Sequence, residues 1–192
     1  ATNVRQQVAP SGVFGTRMTI PLMNPFLQPS VRTAIMDNIN NFRTANPAVT
    51  LTQAGVIDNN ANGVFDMADS ILVPVRRRTL ELGTRSEEFD TNLFQFVMGV
   101  RGDIAADWTY DVSFQYAESD RVTVRDGYTN VSNIATQLNT VSATTCTTPA
   151  GVTTAGCVPM NIFGGFGSIS AAAADYGRAI ALQRQLYKQT VF

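Results

Sequence analysis

The chain has 192 residues, a formal net charge of −1, no histidine, and 44% hydrophobic against 15% charged residues. Soluble domains carry about 25% charged residues, so this composition is poor in charge. The balanced charge lacks the basic footprint of a nucleic-acid-binding protein, and the absence of histidine excludes the Ser/His/Asp and Cys/His sets of nucleophilic enzymes. No run of about 18 apolar residues predicts a transmembrane helix. We expect a protein that is not an enzyme and has no nucleic-acid partner.

The first third of the chain predicts a strand, an irregular loop and one short helix. Residues 13–20 are typical of a strand, and three prolines in the next nine residues favour an extended loop. Ser30 is expected to cap a helix that Asn46 and Pro47 end. A stripe at helical spacing supports this helix and consists of Val31, Ala34, Ile35, Asn38, Ile39 and Phe42. We expect it to pack locally within a long loop of about residues 20–75.

This first long loop contains a motif with the spacing of a calcium-binding loop. Residues 58–69 match D-x-[DN]-x-[DN]-G with an acid at position 12, and calcium takes six to eight oxygen ligands. The predicted ligands are Asp58, Asn60, Asn62, the Val64 carbonyl, Asp66 and Asp69. Gly63 permits the sharp turn, whereas the aspartate at position 12 is shorter than the usual glutamate. The alternative is an Asn/Gly-rich surface turn that binds no metal.

The clearest pattern in the chain is a predicted hairpin over residues 93–117. Side chains alternate between the faces of a strand, and here one face is apolar and aromatic while the other is small and polar. The apolar face consists of Phe94, Phe96, Met98, Val100, Trp108, Tyr110, Val112, Phe114 and Tyr116. Each predicted strand keeps this pattern for about nine residues, the length that a tilted strand needs to cross a bilayer. A hairpin on a soluble β-sandwich is the alternative.

Matching the two apolar faces predicts a register for this hairpin. Val100 is expected opposite Tyr110 and Phe96 opposite Phe114, with residues 104–106 as the short loop. After the hairpin, residues 119–180 are polar and rich in Thr, Ser, Asn and Gly, so we expect a second long loop. Residues 182–192 are expected to form a further strand.

The count of elements is too small for a closed transmembrane barrel. Four or five strands are predicted, whereas such a barrel needs at least eight, and an open set of amphipathic strands leaves unpaired edges. The sequence therefore predicts an all-β fold in which residues 1–192 are part of one transmembrane β-barrel domain. The chain would be a segment of a large antiparallel barrel with long loops and one short loop helix.

Several motifs resemble TonB-dependent outer-membrane receptors. They are the run Arg77-Arg78-x-x-Glu81-x-Gly83-x-Arg85, then Gly99-Val100-Arg101-Gly102-Asp103, Trp108-x-Tyr110-Asp111, the upstream Asn24-Pro25-Phe26-Leu27, and Cys157-Val158-Pro159-Met160-Asn161-Ile162-Phe163. Each motif is short, but their order along the chain resembles that of the family barrel. The resemblance covers most of residues 11–192 and is strongest over 76–121.

The resemblance implies a 22-stranded barrel with an N-terminal plug, in the outer membrane of a Gram-negative bacterium. It implies uptake of a scarce nutrient such as an iron chelate or a sugar, driven by an energy-coupling complex in the inner membrane that acts through the plug. Implied partners are the remaining strands and plug, and outer-membrane lipid and lipopolysaccharide. Short turns are periplasmic in such barrels, so the two long loops would be extracellular. A passive porin or structural barrel, and a secreted calcium-binding β-domain, are the alternatives.

Three further motifs lie outside the predicted hairpin. Cys146 and Cys157 flank a turn-rich span of an exported loop, where the oxidising compartment favours a disulfide over free thiols or a metal pair. Arg76–Arg78 project to both strand faces and favour a solvated strand end, with lipopolysaccharide phosphates or the barrel lumen as alternatives. Gly164–Gly167 lacks the helix and lysine of a phosphate-binding loop and is expected to form a flexible tip.

Overall fold

The computed structural model describes residues 2–9, 12–105 and 107–192. The fold is mainly β, and the strand pairs whose register is defined are antiparallel. The chain divides into two compact units. Unit 1 comprises residues 1–8, 85–126 and 180–192, and unit 2 comprises residues 9–84 and 127–179. None of the helices in the described residues is long and apolar enough to cross a membrane.

The elements follow one another along the chain in a simple order. The strands are β1 (Thr2–Ala9), β2 (Gly12–Pro21), β3 (Val56–Ile57), β4 (Ser70–Thr79), β5 (Arg85–Ala105), β6 (Trp108–Thr129), β7 (Cys146–Thr147), β8 (Thr153–Thr154) and β9 (Arg178–Val191). The helices are α1 (Pro29–Ala45), α2 (Val131–Leu138) and α3 (Ala171–Gly177), with a short 3-10 helix over Leu80–Leu82. The strands predicted over residues 13–20 and 182–192 are confirmed as β2 and β9.

Unit 1 is built on a four-stranded sheet with the order β1-β5-β6-β9. The predicted hairpin is confirmed, but its predicted register is wrong by two residues. Val100 lies opposite Val112 and not Tyr110, and pairing continues to Ala105 opposite Trp108. The turn is therefore tighter than the predicted loop of 104–106, whose last residue lies outside the described residues. Because a shift of two residues preserves strand alternation, every side chain stays on its predicted face.

The two hairpin strands are much longer than the nine residues predicted. β5 has 21 residues and β6 has 22, and they pair as far as Ser86 opposite Asp126. The prediction that the second long loop begins near residue 119 is therefore wrong, because β6 continues to Thr129. The added part of β6 carries charged and hydroxyl side chains such as Arg121 and Thr123, so it has no apolar period to reveal it.

Unit 2 contains a three-stranded sheet with the order β2-β4-β3. The β2–β4 ladder runs from Gly12 opposite Thr79 to Pro21 opposite Ser70, and β3 pairs with the start of β4. Two hydrophobic clusters pack within this unit. The first contains Met18, Leu82, Ile134, Leu138, Met160, Ile169, Ala173 and Ala174, and the second contains Ile20, Leu22, Leu27, Val56, Phe65 and Ile71.

The helix content exceeds the single loop helix that was predicted. Helix α1 is present and ends at the predicted Asn46, but its N-cap is Gln28, without a side-chain cap. Ser30 is therefore not the cap, because Pro29 begins the helix, where its fixed φ and missing N–H cost nothing. Helices α2 and α3 lie in the segment predicted as a loop. They have eight and seven residues, too short for hydrophobic periodicity to be conspicuous.

Candidate functional site

Unit 1 exposes a continuous apolar face on the β5–β6 hairpin. The exposed large side chains of this face are Phe94, Phe96, Met98, Val100, Ile104, Trp108, Tyr110 and Val112. Trp108 is 72% exposed and Met98 57% exposed, values that single surface hydrophobics reach but contiguous rows in soluble monomers rarely do. Phe114 extends the row and packs against Phe192, with 5.5 Å between the ring centroids. We call this surface the apolar band.

The opposite face of the same hairpin is mainly polar, with Leu93 and Val97 as apolar exceptions. Arg101 and Asp111 lie opposite one another and form an ion pair, with 2.7 Å between Nη2 and Oδ2. Farther along, Arg125 donates to Glu87 across 2.8 Å, and the guanidinium of Arg121 lies 4.5 Å from the ring centroid of Phe89. The sheet therefore has two chemically different faces, as the sequence pattern predicts.

A group of charged side chains ends the apolar band on its own face. Asp120 accepts two hydrogen bonds from Arg184 at 2.9 and 2.7 Å, and Glu118 lies 3.4 Å from the ammonium of Lys188. The hydroxyl of Tyr116 donates to Glu118 at 2.8 Å, so the last aromatic ring of the band touches the first carboxylate. Strand alternation places Tyr116, Glu118 and Asp120 in one row. We call these side chains the charged rim.

The loop predicted to bind calcium adopts a compact conformation closed by its own side chains. Ala61 and Gly63 have positive φ values of 54° and 74°. The carboxylate of Asp58 accepts hydrogen bonds from the N–H groups of Asn62 and Gly63 at 3.2 and 2.8 Å. Asn62 Oδ1 in turn accepts from the Val64 N–H at 2.7 Å. Asn and Asp favour this kind of local side-chain-to-backbone bonding.

The remaining predicted ligands lie in the same hydrogen-bond network. Asp66 accepts from the Ala68 N–H and from the amides of Asn62 and Asn60, and these hydrogen bonds lower the pKa of Asp66. Asp69 is fully buried and accepts from the N–H groups of Asn59 and Asp66. The predicted residues are therefore brought together.

The orientation of this network is not that of a ligand cage. Asn60 and Asn62 turn amide donors toward Asp66, and Val64 is exposed. Over residues 2–9, 12–105 and 107–192, no group of three or more His, Cys, Asp or Glu side chains is arranged to hold a metal ion. A calcium ion would have to replace hydrogen bonds that the loop makes to itself, so calcium binding stays a prediction.

The predicted disulfide is confirmed: Cys146 is bonded to Cys157, with 5.6 Å between the Cα atoms. Both residues are buried. Cys146 belongs to the small β7–β8 hairpin, in which it pairs with Thr154. The hydroxyl of Thr140 supports the hairpin, since it donates to the Thr145 carbonyl at 3.0 Å and accepts from the Thr147 N–H at 3.1 Å. The bond therefore closes an ordered element.

A partly buried arginine in unit 2 is the feature that sequence reasoning missed. Arg77 does not lie at a solvated strand end, since its side chain is only 12% exposed. Its guanidinium donates to the carbonyls of Ile162, Gly164 and Gly165 at 2.8, 2.8 and 3.1 Å, and to Ser168 Oγ at 3.2 Å. Gly164 and Gly165 lie in the segment Gly164–Gly167 that is expected to form a flexible tip, and Ile162 and Ser168 lie on either side of it.

Glu81 completes this arrangement from the 3-10 helix. Its Oε1 accepts from Arg77 at 3.0 Å and from the Gly167 N–H at 2.8 Å. Burial raises the pKa of Glu81, but hydrogen bonds from its own N–H, from Gly167 and from Arg77 outweigh burial, so the pKa lies below its ordinary value of 4.5. The Arg77–Glu81 pair thus holds the segment 161–168 in one conformation, with Phe166 70% exposed.

Among the cavities formed by the described residues, two open on unit 2. The first, of about 410 Å³, is apolar and lies between α1 and the sheet. Its wall includes Ile20, Leu27, Ile35, Ile39, Val73 and Phe163. The second, of about 370 Å³, is polar and is lined by Arg17, Met18, Thr19, Ala135, Thr136, Asn139, Thr148 and Thr154. We call the second one the polar pocket.

Comparison of the chain with protein-family models, with curated proteins and with solved structures finds no match. The features that bear on its function are the two faces of unit 1, the Arg77–Glu81 pair and cavities of unit 2, and the motif resemblance.

Proposed function

We propose that this chain is part of the transmembrane β-barrel of a TonB-dependent outer-membrane receptor, which takes up a scarce nutrient such as an iron chelate or a sugar. The observation that carries the proposal is the apolar band on one face of the β5–β6 hairpin. An outward apolar surface with a polar surface behind it is the arrangement of strands that separate lipid from a water-filled or plugged lumen.

The dimensions of the band support this placement. On β5 the apolar row runs from Phe94 to Ile104, roughly 33 Å along a strand at about 3.3 Å per residue. A strand tilted by about 45° would cover roughly 25 Å of membrane with this row, which is the height of the apolar belt on outer-membrane barrels. Trp108 near one end and Tyr116 near the other suit the two interfaces, where amphipathic rings are enriched.

The charged rim supports the same boundary. Glu118, Asp120, Arg184 and Lys188 follow the last aromatic ring on the apolar face. Charges on the lipid-facing side cost least near the interface and most at the midplane. Beyond this level β5 and β6 continue to Ser86 and Asp126, and strands that extend past the hydrocarbon layer carry polar side chains on both faces.

Chain connectivity supports an orientation. The short turn between Ala105 and Trp108 joins the strands at one end. The chain crosses into unit 2 between residues 84 and 85 and between 126 and 127, at the other ends of the same strands. Since periplasmic turns are short and extracellular connections long, the short turn is periplasmic and unit 2 is extracellular in this proposal.

The sheet itself supports a larger assembly. β1 and β9 are the outer strands of the four-stranded sheet, and open edges are not tolerated in lipid. Further strands would pair with these edges. The transport function, as distinct from membrane insertion, is supported by the ordered receptor-like motifs, of which Arg77, Glu81 and Gly99–Asp103 are the clearest.

Energy dependence of uptake tests the proposed function. The gene that encodes the chain is deleted in its own organism, and uptake of candidate iron chelates and sugars is compared with the parent strain. We expect loss of uptake of one nutrient, and we expect a protonophore to abolish that uptake in the parent. Uptake that persists with the protonophore indicates a passive porin instead. A protein recovered from the culture medium without detergent indicates the secreted β-domain, and either result contradicts the proposal.

A further inference from the structure

The polar pocket of unit 2 has a composition that points to a ligand. Its wall carries one cation, Arg17, and no acidic side chain. Arg17 makes no hydrogen bond or ion pair with any of the described residues, and its side chain is exposed. A guanidinium recognises carboxylate and phosphate groups with two parallel hydrogen bonds, so the unpaired cation selects for an anion.

The other wall residues provide groups for neutral polar atoms. Thr148 Oγ1 accepts the Val152 N–H at 3.2 Å, which leaves its own hydroxyl proton to donate. Thr136 donates its hydroxyl proton to the Ser132 carbonyl at 3.1 Å, which leaves its lone pairs to accept. Asn139 lies in the same wall.

The pocket is held by three elements that are each fixed independently. Residues 17–19 belong to β2, which pairs with β4 on one side and with no other strand of the described residues. Helix α2 is anchored by Ile134 and Leu138, which are fully buried in the same cluster as Met18. The β7–β8 segment, which supplies Thr148 and Thr154, is closed by the disulfide. A preformed wall loses little freedom on binding.

We propose that the polar pocket binds a small carboxylated polyol, such as a sugar acid. The guanidinium of Arg17 would pair with the carboxylate, and the hydroxyls of Thr136, Thr148 and Thr154 would bind the hydroxyl groups. A volume of about 370 Å³ lies near the lower end of the range of ligand pockets, so the ligand is small and not a polymer. This inference goes beyond the proposed function and stands without it, because the pocket lies wholly in unit 2.

Equilibrium dialysis of the protein as its gene encodes it tests the proposal, with D-glucuronate, D-glucose and acetate as the probes. We expect saturable binding of one glucuronate per chain. Its affinity should be at least tenfold higher than that of glucose, which lacks the charge, and that of acetate, which lacks the hydroxyls. Arg17→Gln is expected to weaken glucuronate binding roughly tenfold or more, the size of a lost charge-assisted hydrogen bond. Arg78→Gln removes the same charge from an exposed position outside the pocket and is expected to change binding less than about twofold.

A hydroxyl variant separates the two parts of the proposal. Thr154→Val keeps the shape of the side chain and removes its hydroxyl, so it is expected to weaken glucuronate binding and leave acetate binding unchanged. Circular dichroism of each variant establishes that it is folded. Absence of saturable glucuronate binding overturns the proposal. Equal weakening of glucuronate binding by Arg17→Gln and Arg78→Gln also overturns the proposal, because it indicates diffuse charge attraction. Equal affinity for glucuronate and acetate overturns it as well, because it indicates an anion site without polyol recognition. None of these outcomes depends on whether unit 1 lies in a membrane.

Discussion

Tyr110 lies over Gly102 across the β5–β6 hairpin, where the two residues are directly opposite one another. A Cβ atom on Gly102 would lie 2.6 Å from both Cε1 and the hydroxyl oxygen of Tyr110. The ring therefore occupies the space that any side chain at position 102 would need. An aromatic ring that covers a glycine in the neighbouring strand is a cross-strand pair that fixes register, and here it lies close to the turn.

The Gly102–Tyr110 pair leads to a stability prediction. Gly102→Ala displaces the far end of the partly exposed Tyr110 ring, so we expect the free energy of unfolding to fall by about 0.2–1 kcal/mol, the contribution of a cross-strand pair. Gly99→Ala is the matched control, because its Cβ would meet ordinary van der Waals contacts at 3.4 Å or more. Urea unfolding in the same detergent measures both. Equal losses in the two variants, or an undiminished loss for Gly102→Ala in a Tyr110→Ala background, would contradict this role of the ring.

Arg77 and Glu81 allow a test of a partly buried ion pair. The two side chains are 12% and 10% exposed, and loss of hydrogen bonds that involve a charged group costs about 1.5–3 kcal/mol. We therefore expect Arg77→Met to destabilise unit 2 by this amount. Arg78→Met, on the exposed side of the same strand, is expected to change stability by less than about 0.5 kcal/mol. Thermal unfolding followed by circular dichroism measures both, and similar melting temperatures for the two variants would refute the role of Arg77.

Glu81 also predicts how stability depends on pH. Its pKa is lowered in the folded chain from its ordinary value of 4.5, so its ionised form stabilises the fold above that pH, and this contribution is lost as pH falls through the lower folded value. Glu81→Gln lacks the titration and still accepts the Gly167 N–H. We expect the stability difference between the parent chain and Glu81→Gln to be largest near neutral pH and to shrink below about pH 4.5. A difference that is constant from pH 7 to 3 would contradict this assignment.

Calcium binding at residues 58–69 is tested by a thermal melt. If calcium binds the folded loop, a concentration about one hundred times its dissociation constant stabilises the chain by about 2.7 kcal/mol, so the melting temperature should exceed that in a chelator. Asp66→Ala removes one predicted ligand and should abolish the difference. Magnesium is the control, because it demands a smaller octahedral site. Identical melts in calcium and chelator would refute the calcium prediction.

The strand faces could be predicted from sequence, but the register and length of the strands could not. The apolar residues alternate from Phe94 to Val100 and from Trp108 to Tyr116. They therefore share one face in every register that differs from this one by an even number of residues. The turn after Asp103 lacks the Asn-Gly or Asp-Gly pair that specifies a two-residue hairpin, so the tighter turn was not foreseen. Where both faces become polar, as near Arg121, periodicity carries no signal.

The candidate site was predictable where its residues are close in sequence. Asp58 to Asp69 form a local network whose members are within twelve positions of one another, and Cys146 and Cys157 are the two cysteines of the chain. The hydrogen bonds from Arg77 to residues 162–168 join positions 85 or more apart. The polar pocket combines residues of β2, α2 and the β7–β8 segment. Such sites are produced by tertiary packing, and local sequence patterns do not predict them.

The lipid exposure of neighbouring positions on β5 tests the central claim most directly. Cysteine is placed at Phe96, on the apolar band, or at Val97, on the opposite face, and labelled with a nitroxide in the protein as its gene encodes it, in outer-membrane fragments. We expect oxygen, which concentrates in lipid, to relax the label at position 96 more strongly than the label at position 97. We expect a water-soluble nickel chelate to relax the label at position 97 more strongly than the label at position 96. Equal access of the nickel chelate to both positions would contradict the placement of this hairpin in a membrane.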